Sequence, residues 1–326
     1  MKYLDLSKDI DKQFLVDKDS VYLGHPSTII HNNEILCVYP KGHGRGEICF
    51  KKSLDYGITW SDRLKTPDSW KYSQETPILY KLKDKIILLS GRYPSKLAFS
   101  EDGDNWSEFE EFNWGGLVVF SSLIYTNKYI AFFHDNGKFF KGSGIRGDFT
   151  IYQTESEDGL EWSYPHPIYV SRQGEKFCEP FAIFSPDNKD VTLLLRNNFK
   201  KFSYAISSND KCKTWGQPFK LNVHLSGDRH VGKYMPDGRL FISFRGKNEG
   251  KFYNDWCAWT GTYEDIINEK SGSNYIRIMQ NKKEGGDCAY PGVEIIDNTI
   301  ITTTYGSWDG GLPHIMCVRI KCSTLD

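Results

Sequence analysis

The stretch Ser53–Trp60 (SLDYGITW) determines the fold of this 326-residue chain, because it recurs three times further along. The other copies are Ser100–Trp106 (SEDGDNW), Ser156–Trp162 (SEDGLEW) and Ser208–Trp215 (SNDKCKTW). Their aspartates are 47, 56 and 52 residues apart, and self-similarity at a near-constant period of this size indicates a repeat architecture. The sequence therefore predicts a β-propeller.

Each copy is predicted to be a reinforced β-turn. Its aspartate accepts backbone N–H groups, and the glycine of the first three copies, as at Gly57, supplies a positive φ. The fourth copy has Cys212 in place of this glycine. Its tryptophan begins the next strand and packs between neighbouring sheets. These turns support the scaffold in this interpretation, so we expect Asp55→Ala to lower stability and leave the chemistry intact.

A second pattern runs in phase with the first and predicts the number of blades. It consists of a short apolar run, a polar turn and a longer apolar run, and its six copies begin near residues 25, 75, 121, 178, 229 and 289. Such runs suit strands that are buried on both faces. The prediction is an all-β, six-bladed propeller with four-stranded antiparallel blades, one domain over residues 1–326. The ends, Met1–Ser20 and Cys317–Asp326, are expected to pair and close the ring.

The composition argues against several kinds of partner. With 41 basic and 42 acidic residues the net charge is −1, so neither nucleic acid nor an anionic membrane is expected to bind. No run approaches the ~20 apolar residues of a membrane span, and Met1–Asp5 lacks an apolar signal region. The eight cysteines lie mostly in apolar runs and are expected to be buried free thiols. We expect a cytoplasmic protein, or a secreted or periplasmic one whose signal peptide has been removed. The sequence does not indicate an oligomeric state.

The propeller geometry also predicts where the chemistry lies. The first residues of the innermost strands, and the loops that leave the second strands, meet around one central pocket. Polar groups crowded there cost desolvation energy unless they pair with one another or bind a ligand. The alternative to a functional site is a set of buried ion pairs that join the blades, such as Glu179 with Arg196. The candidate pocket residues are His25, His43, Arg45, Glu75, His134, Glu179, Arg196, Asp228, Arg229, His230, Arg245 and Tyr290.

The four turns resemble the Asp boxes, or BNR repeats, of the sialidase (neuraminidase) superfamily of six-bladed propellers. The resemblance extends to Asp287–Val293 (DCAYPGV), which is similar to the phrase that carries the catalytic tyrosine of that superfamily. It implies that Tyr290 is a nucleophile, that Asp228 on the preceding inner strand is its base, and that Arg245 binds a substrate carboxylate.

A tyrosine nucleophile suits a sugar whose anomeric carbon carries a carboxylate. That carboxylate repels an ionised Asp or Glu, whereas a phenol with a pKa of about 10 is neutral at pH 7. A neighbouring carboxylate accepts the phenol proton during attack, which makes this chemistry an exception to the usual two-carboxylate scheme. Arginine binds the substrate carboxylate through two parallel hydrogen bonds.

Three positions differ from the superfamily pattern, and one of them is the third clamp arginine, which has no match between Arg245 and Tyr290. His25 stands where the pattern has an arginine of the carboxylate clamp, and the loop before the first Asp box has His43 in place of an acid/base aspartate. Either Arg45, Arg196 and Arg229 rebuild the clamp, or the substrate is a different acidic sugar. His43 is the predicted proton donor, since an unperturbed imidazole pKa of about 6.5 suits proton transfer at neutral pH.

Three functions follow from this pattern and remain alternatives. The first is a sialidase-like exo-glycosidase that releases a terminal sialic acid, related keto-sugar or uronic acid. The second is a lyase that eliminates at a uronic acid with a His/Tyr pair, and the third is a non-catalytic propeller that binds a glycan. No cofactor is expected. No metal is expected either, because the pocket histidines include no closely spaced ligand pair.

Overall fold

The computed structural model describes residues 1–72, 76–91, 94–112, 114, 120–140, 147–199, 201–247 and 250–326. The chain begins with two strands that join the last two blades, β1 (Lys2–Asp5) and β2 (Gln13–Asp17). Blade 1 contains β3 (Ser27–His31), β4 (Glu34–Pro40) and β5 (Ile48–Ser53). Blade 2 contains β6 (Ile78–Lys81), β7 (Ile86–Ser90), β8 (Lys96–Ser100) and β9 (Glu110–Glu111).

The remaining four blades follow in chain order. Blade 3 contains β10 (Ser122–Tyr125), β11 (Tyr129–Asp135), β12 (Thr150–Ser156) and β13 (His166–Val170). Blade 4 contains β14 (Phe177–Phe184), β15 (Val191–Asn197), β16 (Tyr204–Ser208) and β17 (Phe219–Lys220). Blade 5 contains β18 (Gly227–Tyr234), β19 (Leu240–Gly246), β20 (Trp256–Gly261) and β21 (Asn274–Met279). Blade 6 contains β22 (Gly292–Ile296), β23 (Thr299–Gly306) and β24 (His314–Lys321).

The described helices are short and lie in connections between strands, except for one turn that follows the last strand. The α-helix α1 (Tyr263–Ile267) begins at a capping box in which Thr262 and Asp265 bond to each other's backbone N–H groups. The 3₁₀ turns are Ile10–Lys12, Asp68–Tyr72, Val223–Leu225 and Cys322–Leu325. None of the described helices is long and apolar enough to cross a membrane.

The six-bladed, all-β prediction is confirmed, and so is the closure of the ring by the chain ends. Strand β2 pairs antiparallel with β24, with Gln13 opposite Val318, and thereby completes blade 6. Strand β1 adds a fifth, parallel strand to blade 5 by pairing with β21. Blade 1 has three strands among the described residues. The inner strands β22 and β3 pack against each other, so the ring is continuous.

The predicted Asp-box turns are present and bond as expected. Oδ1 of Asp55 accepts the N–H groups of Ile58 at 3.1 Å and Thr59 at 2.8 Å. The aspartates at 102, 158 and 210 each accept two backbone N–H groups at 2.8–3.0 Å. Gly57 has a φ of +89°, and a Cβ at this position would stand 2.7 Å from Sγ of Cys317. The glycine is therefore required by both backbone conformation and packing.

The box tryptophans pack between blades, as predicted. Trp162 is buried and meets Phe120 edge-on at 4.6 Å between ring centroids. Trp215, the final residue of the last box, meets Phe132 of the preceding blade at 5.5 Å between ring centroids. All eight cysteines are buried and free, which confirms that prediction. The cores therefore lie between the sheets and leave the axis of the ring for polar groups.

Replacing Asp55 by alanine is expected to destabilise the protein by about 1–2 kcal/mol, because two backbone N–H groups lose their acceptor. Urea denaturation of the variant measures this loss, with the exposed residue Asp62, replaced in the same way, as the control. Catalytic constants of the folded protein should not change. A fully stable but inactive Asp55→Ala variant would show that the turn belongs to the functional site.

Candidate active site

Tyr290, which is separated from β22 by Pro291, lies at the centre of the polar cluster on the propeller axis. Its hydroxyl donates to Oε1 of Glu179 at 2.6 Å and accepts a hydrogen bond from Nη1 of Arg196 at 2.8 Å. The same Nη1 lies 3.0 Å from Oε2 of Glu179. Glu179 and Arg196 stand on the two inner strands of blade 4, so blades 4 and 6 meet in this triad.

The electrostatic environment keeps the proton of the triad on the phenol. Burial by itself raises the pKa of Glu179, but the charges of Arg196 and Arg229 outweigh it and bring the pKa down to about 2. Burial, together with the neighbouring Glu179 charge, raises the pKa of Tyr290 well above 10. At neutral pH a protonated phenol therefore faces an ionised carboxylate that can accept its proton.

Asp228 is buried and is surrounded by three cations. Its Oδ2 accepts from Nη2 of Arg245 at 2.7 Å and from Nε at 3.2 Å. Its Oδ1 lies 2.9 Å from Nε of Arg196 and 2.6 Å from Nζ of Lys247, in ion pairs that lack hydrogen-bond alignment. Asp228 thus connects Arg196 of blade 4 to Arg245 of blade 5.

The structure assigns Tyr290 a different carboxylate partner from the predicted one. Tyr290 bonds to Glu179, whereas the carboxylate of Asp228 is occupied by cations. The reason is the strand register. Cys178 pairs with Arg196 in blade 4, and Asp228 pairs with Arg245 in blade 5. Asp228 is therefore the counterpart of Cys178, the residue before Glu179. Side chains alternate along a strand, and the two residues therefore face different ways.

Arg245 is likewise placed differently from the prediction. Its guanidinium donates to both Asp228 and Asp287, so two protein carboxylates already occupy the fork that was expected to bind substrate.

Asp287 is a component of the site that the sequence did not single out. Its Oδ2 accepts hydrogen bonds from the hydroxyls of Tyr305 at 2.6 Å and Tyr22 at 3.1 Å. Nε2 of His43 lies 2.9 Å from the same oxygen. These partners come from three separate segments, so no local sequence pattern connects them to Asp287, although Asp287 opens the stretch that contains Tyr290.

His25 lies between the nucleophile candidate and His43. Its ring centroid is 4.7 Å from that of Tyr290 and 4.9 Å from that of His43. Burial lowers the pKa of His25 to about 3, so its imidazole is neutral. His134, on the other side of Glu179, accepts the Glu179 backbone N–H at Nδ1 over 3.2 Å, and burial lowers its pKa to about 4.

A cavity of about 360 Å³ opens over the triad. Six of the predicted residues line it: His25, His43, His134, Glu179, Arg229 and Tyr290. Non-glycine residues in the left-handed region are uncommon, yet His25, Glu179 and Arg229 have φ values of 52°, 49° and 56°. Backbone conformations of this kind cluster at functional sites.

The other predicted residues that the structure describes do not line the cavity. Arg45 is exposed and does not line it. His230 is buried, with Nε2 bound to the Leu225 carbonyl at 2.9 Å. Arg196, Asp228 and Arg245 form the layer behind the lining, and Glu75 lies outside the described residues.

One group of side chains has the composition of a metal site. Ligand atoms of His25, His43 and Asp287 lie within 4.8 Å of one another, a proximity that sequence spacing did not predict. Imidazole and carboxylate groups suit a zinc ion. However, Oδ2 of Asp287 already has three hydrogen-bonding neighbours, and Arg245 holds its other oxygen. A divalent ion would have to compete with the arginine charge.

The buried histidines predict that stability falls with pH below neutrality. Burial lowers the pKa of His25 to about 3, and the values of His134 and His230 to about 4. The unfolded chain, with values of about 6.5, binds more protons, so stability present above pH 6.5 is lost as the pH falls towards these folded-state values. Each histidine contributes at most about 1.4 kcal/mol per pH unit.

Urea denaturation at pH 7 and pH 5 measures this loss. Replacing the buried His230 by asparagine should flatten the pH dependence, whereas the same change at the exposed His166 should not. Equal stability of the wild-type protein at both pH values would contradict the prediction.

The protein is a six-bladed propeller with a polar cavity on its axis. A buried tyrosine, carboxylate and arginine lie at the base of this cavity. The chain belongs to the BNR repeat-like domain family, whose model matches residues 90–252. This membership confirms the resemblance based on the Asp boxes. A comparison with curated proteins gave no match.

Solved structures from several organisms have the same fold. A protein of unknown function from Dyadobacter fermentans superimposes with a TM-score of 0.73 and 18% identity, covering 94% of this chain and 97% of that one. The α-L-arabinanase of Penicillium chrysogenum, complexed with arabinobiose, has a TM-score of 0.70 and 12% identity, with coverages of 96% and 98%. Trypanosoma rangeli sialidase, complexed with the inhibitor DANA, has a TM-score of 0.60 and 12% identity, with coverages of 95% and 58%. The propeller fold of this chain is thus one that glycoside hydrolases also have.

Proposed function

We propose that the protein is an exo-acting glycoside hydrolase that releases a terminal acidic sugar, with Tyr290 as nucleophile and Glu179 as its base. The observation that carries this proposal is the 2.6 Å hydrogen bond from the Tyr290 hydroxyl to Glu179 at the base of the cavity. A nucleophile within hydrogen-bond reach of a base is the arrangement that covalent catalysis requires. The sialidase and arabinanase among the similar structures support the reaction class.

The triad supplies each step of nucleophilic attack. Oη of Tyr290 attacks the anomeric carbon while its proton passes to the carboxylate of Glu179. Nη1 of Arg196, 2.8 Å from the same oxygen, stabilises the negative charge that develops there. The glycosidic bond breaks as a glycosyl-tyrosine forms, and a general acid gives a proton to the leaving oxygen. Water then attacks the anomeric carbon and gives a proton to the conjugate base of that acid. The bond to Tyr290 breaks in this step, and Glu179 returns its proton to the phenol oxygen.

The charge of the cavity favours an acidic sugar. The Arg229 side chain lines it and lies close enough to Glu179 for its charge to lower the pKa of that carboxyl, but no hydrogen bond or ion pair joins this side chain to a described residue. A substrate carboxylate would provide the missing partner in bidentate geometry. Arg229 thereby takes the role that the sequence assigned to Arg245, whose guanidinium already holds Asp228 and Asp287.

Replacing Arg229 by leucine is expected to reduce kcat/KM for an acidic glycoside about 10²-fold, because a desolvated carboxylate then loses its charged partner. Activity on a neutral glycoside, if the wild-type protein shows any, should change by less than about threefold. Steady-state kinetics on the two substrates provide the comparison, and the remote variant Arg239→Leu is the control. An equal loss on both substrates would mean that Arg229 does not recognise charge.

A hydrolysis screen tests the proposed reaction. The panel consists of aryl α-glycosides of sialic acid, its deaminated and octulosonic keto-sugar relatives, uronic acids and, as a neutral sugar, arabinose. Release of the aryl group from an acidic member is the expected result. Ultraviolet absorbance on natural uronides is followed in parallel, since an unsaturated product without aryl release would assign the protein to the lyases. No reaction in either assay would favour a glycan-binding propeller.

A further inference from the structure

The carboxylate of Asp287 is fixed by several hydrogen bonds. Tyr305 and Tyr22 donate to its Oδ2 at 2.6 and 3.1 Å, and Arg245 donates to its other oxygen. Burial by itself raises the pKa of Asp287, but the Tyr305 hydrogen bond and the Arg245 charge outweigh it and lower the pKa. Asp287 is therefore an ionised carboxylate whose orientation is fixed by its hydrogen bonds, and it contacts His43, which lines the cavity.

His43 is the one partner of Asp287 that reaches the cavity. It stands on the loop between β4 and β5, lines the cavity, and has a largely exposed side chain. Because Nε2 lies 2.9 Å from Asp287, it carries the proton of that contact, and Nδ1 is left for a ligand. The edge-to-face contact with His25 at 4.9 Å places this ring next to the one that touches Tyr290.

We infer that Asp287 and His43 form a dyad that protonates the leaving group, an inference that rests on the proposed function. Asp287 is the positioning residue: it selects the tautomer of His43 and compensates the charge of the imidazolium. As the glycosidic C–O bond breaks, Nδ1–H of His43 gives its proton to the leaving oxygen. In the second step the neutral Nδ1 takes a proton from the attacking water, and the imidazolium is restored.

The dependence on the leaving group tests the dyad separately from the nucleophile. A dinitrophenyl glycoside needs no protonation on departure, whereas a phenyl glycoside of the same acidic sugar does. His43→Ala should lower kcat/KM, which covers the steps up to formation of the glycosyl-tyrosine, about 10²–10⁴-fold on the phenyl glycoside and change it by less than about tenfold on the dinitrophenyl glycoside. Asp287→Asn should show the same asymmetry with a smaller loss. The double variant should show no greater asymmetry than His43→Ala, because both changes remove one function.

Two variants at distant positions serve as controls for His43→Ala and Asp287→Asn. His166→Ala and Asp237→Asn change the same residue types far from the cavity and should leave both activities intact. Equal loss on the two glycosides in His43→Ala would overturn the dyad while leaving the nucleophile in place. Loss of wild-type activity with a chelator and its recovery with zinc would also overturn it, in favour of a metal held by His25, His43 and Asp287. A wild-type protein that cleaves neither glycoside would contradict the proposed function itself.

Discussion

The Tyr290→Phe variant is expected to lose at least about 10⁴-fold in kcat, because removal of a nucleophile abolishes the covalent route. Only a hydroxyl is removed, and Glu179 keeps its ion pair with Arg196 at 3.0 Å. The loss of stability should therefore stay within about 1–2 kcal/mol. Single-turnover kinetics and a thermal melt on the same preparation separate the two effects.

A second tyrosine provides the matched control for this variant. Tyr80 lies on β6 and is not part of the cavity lining, and its hydroxyl donates to the Phe120 carbonyl at 2.7 Å. Tyr80→Phe should cost a comparable amount of stability and leave kcat intact. A fluorinated substrate analogue that traps the intermediate should add its sugar mass to the peptide that contains Tyr290. Wild-type activity in Tyr290→Phe, or a label on another residue, would exclude the tyrosine nucleophile.

Asp228→Asn is expected to have the largest effect on stability, about 3–5 kcal/mol. The substitution leaves Lys247 without a carboxylate partner among the described residues, while Arg196 keeps Glu179 and Arg245 keeps Asp287. Breaking a buried ion pair by removing one partner costs far more than the net value of the original pair. Urea denaturation measures the loss, and Asp68→Asn, which breaks an exposed pair with Lys71, is the control that should leave the midpoint unchanged.

The same variant separates the two candidate bases. Because Glu179 rather than Asp228 accepts the Tyr290 hydrogen bond, the folded fraction of Asp228→Asn should retain kcat within about tenfold. Glu179→Gln should instead reduce kcat about 10²–10⁴-fold, the usual range for loss of a general base. The opposite ranking of the two variants would restore the pairing that the sequence predicted.

The fold could be predicted because its determinants are local. Each Asp box is a self-contained turn, and each hairpin carries its own apolar pattern, so repetition along the sequence indicates repetition in space. Closure by the chain ends followed from the need to complete a ring. The free cysteines followed from their apolar surroundings, and all eight are buried.

The sequence predicted which residues lie near the propeller axis, but it did not predict which of them bond to each other. Glu179 reaches Tyr290 because its backbone has a φ of 49° and because β14 has an irregularity between Cys178 and Phe181. Neither feature is visible in residue spacing, and a shift of one position exchanges the side chain that faces the axis for its neighbour. Asp287 went unnoticed for a related reason, since its partners are brought together only by the closed ring.

The closure of the ring by both chain ends determines the order in which the nascent chain can complete its blades. Strands β1 and β2 are translated long before their partners, since Lys2 pairs with Asn274 and Gln13 with Val318. Until β21 and β24 are made, the backbone donors and acceptors of the two early strands have no sheet to join, and unpaired strand edges invite association between chains. Blades 5 and 6 are thus the last to be completed. Asp287 and Tyr290 lie between those two blades, so the site is assembled only as the ring closes.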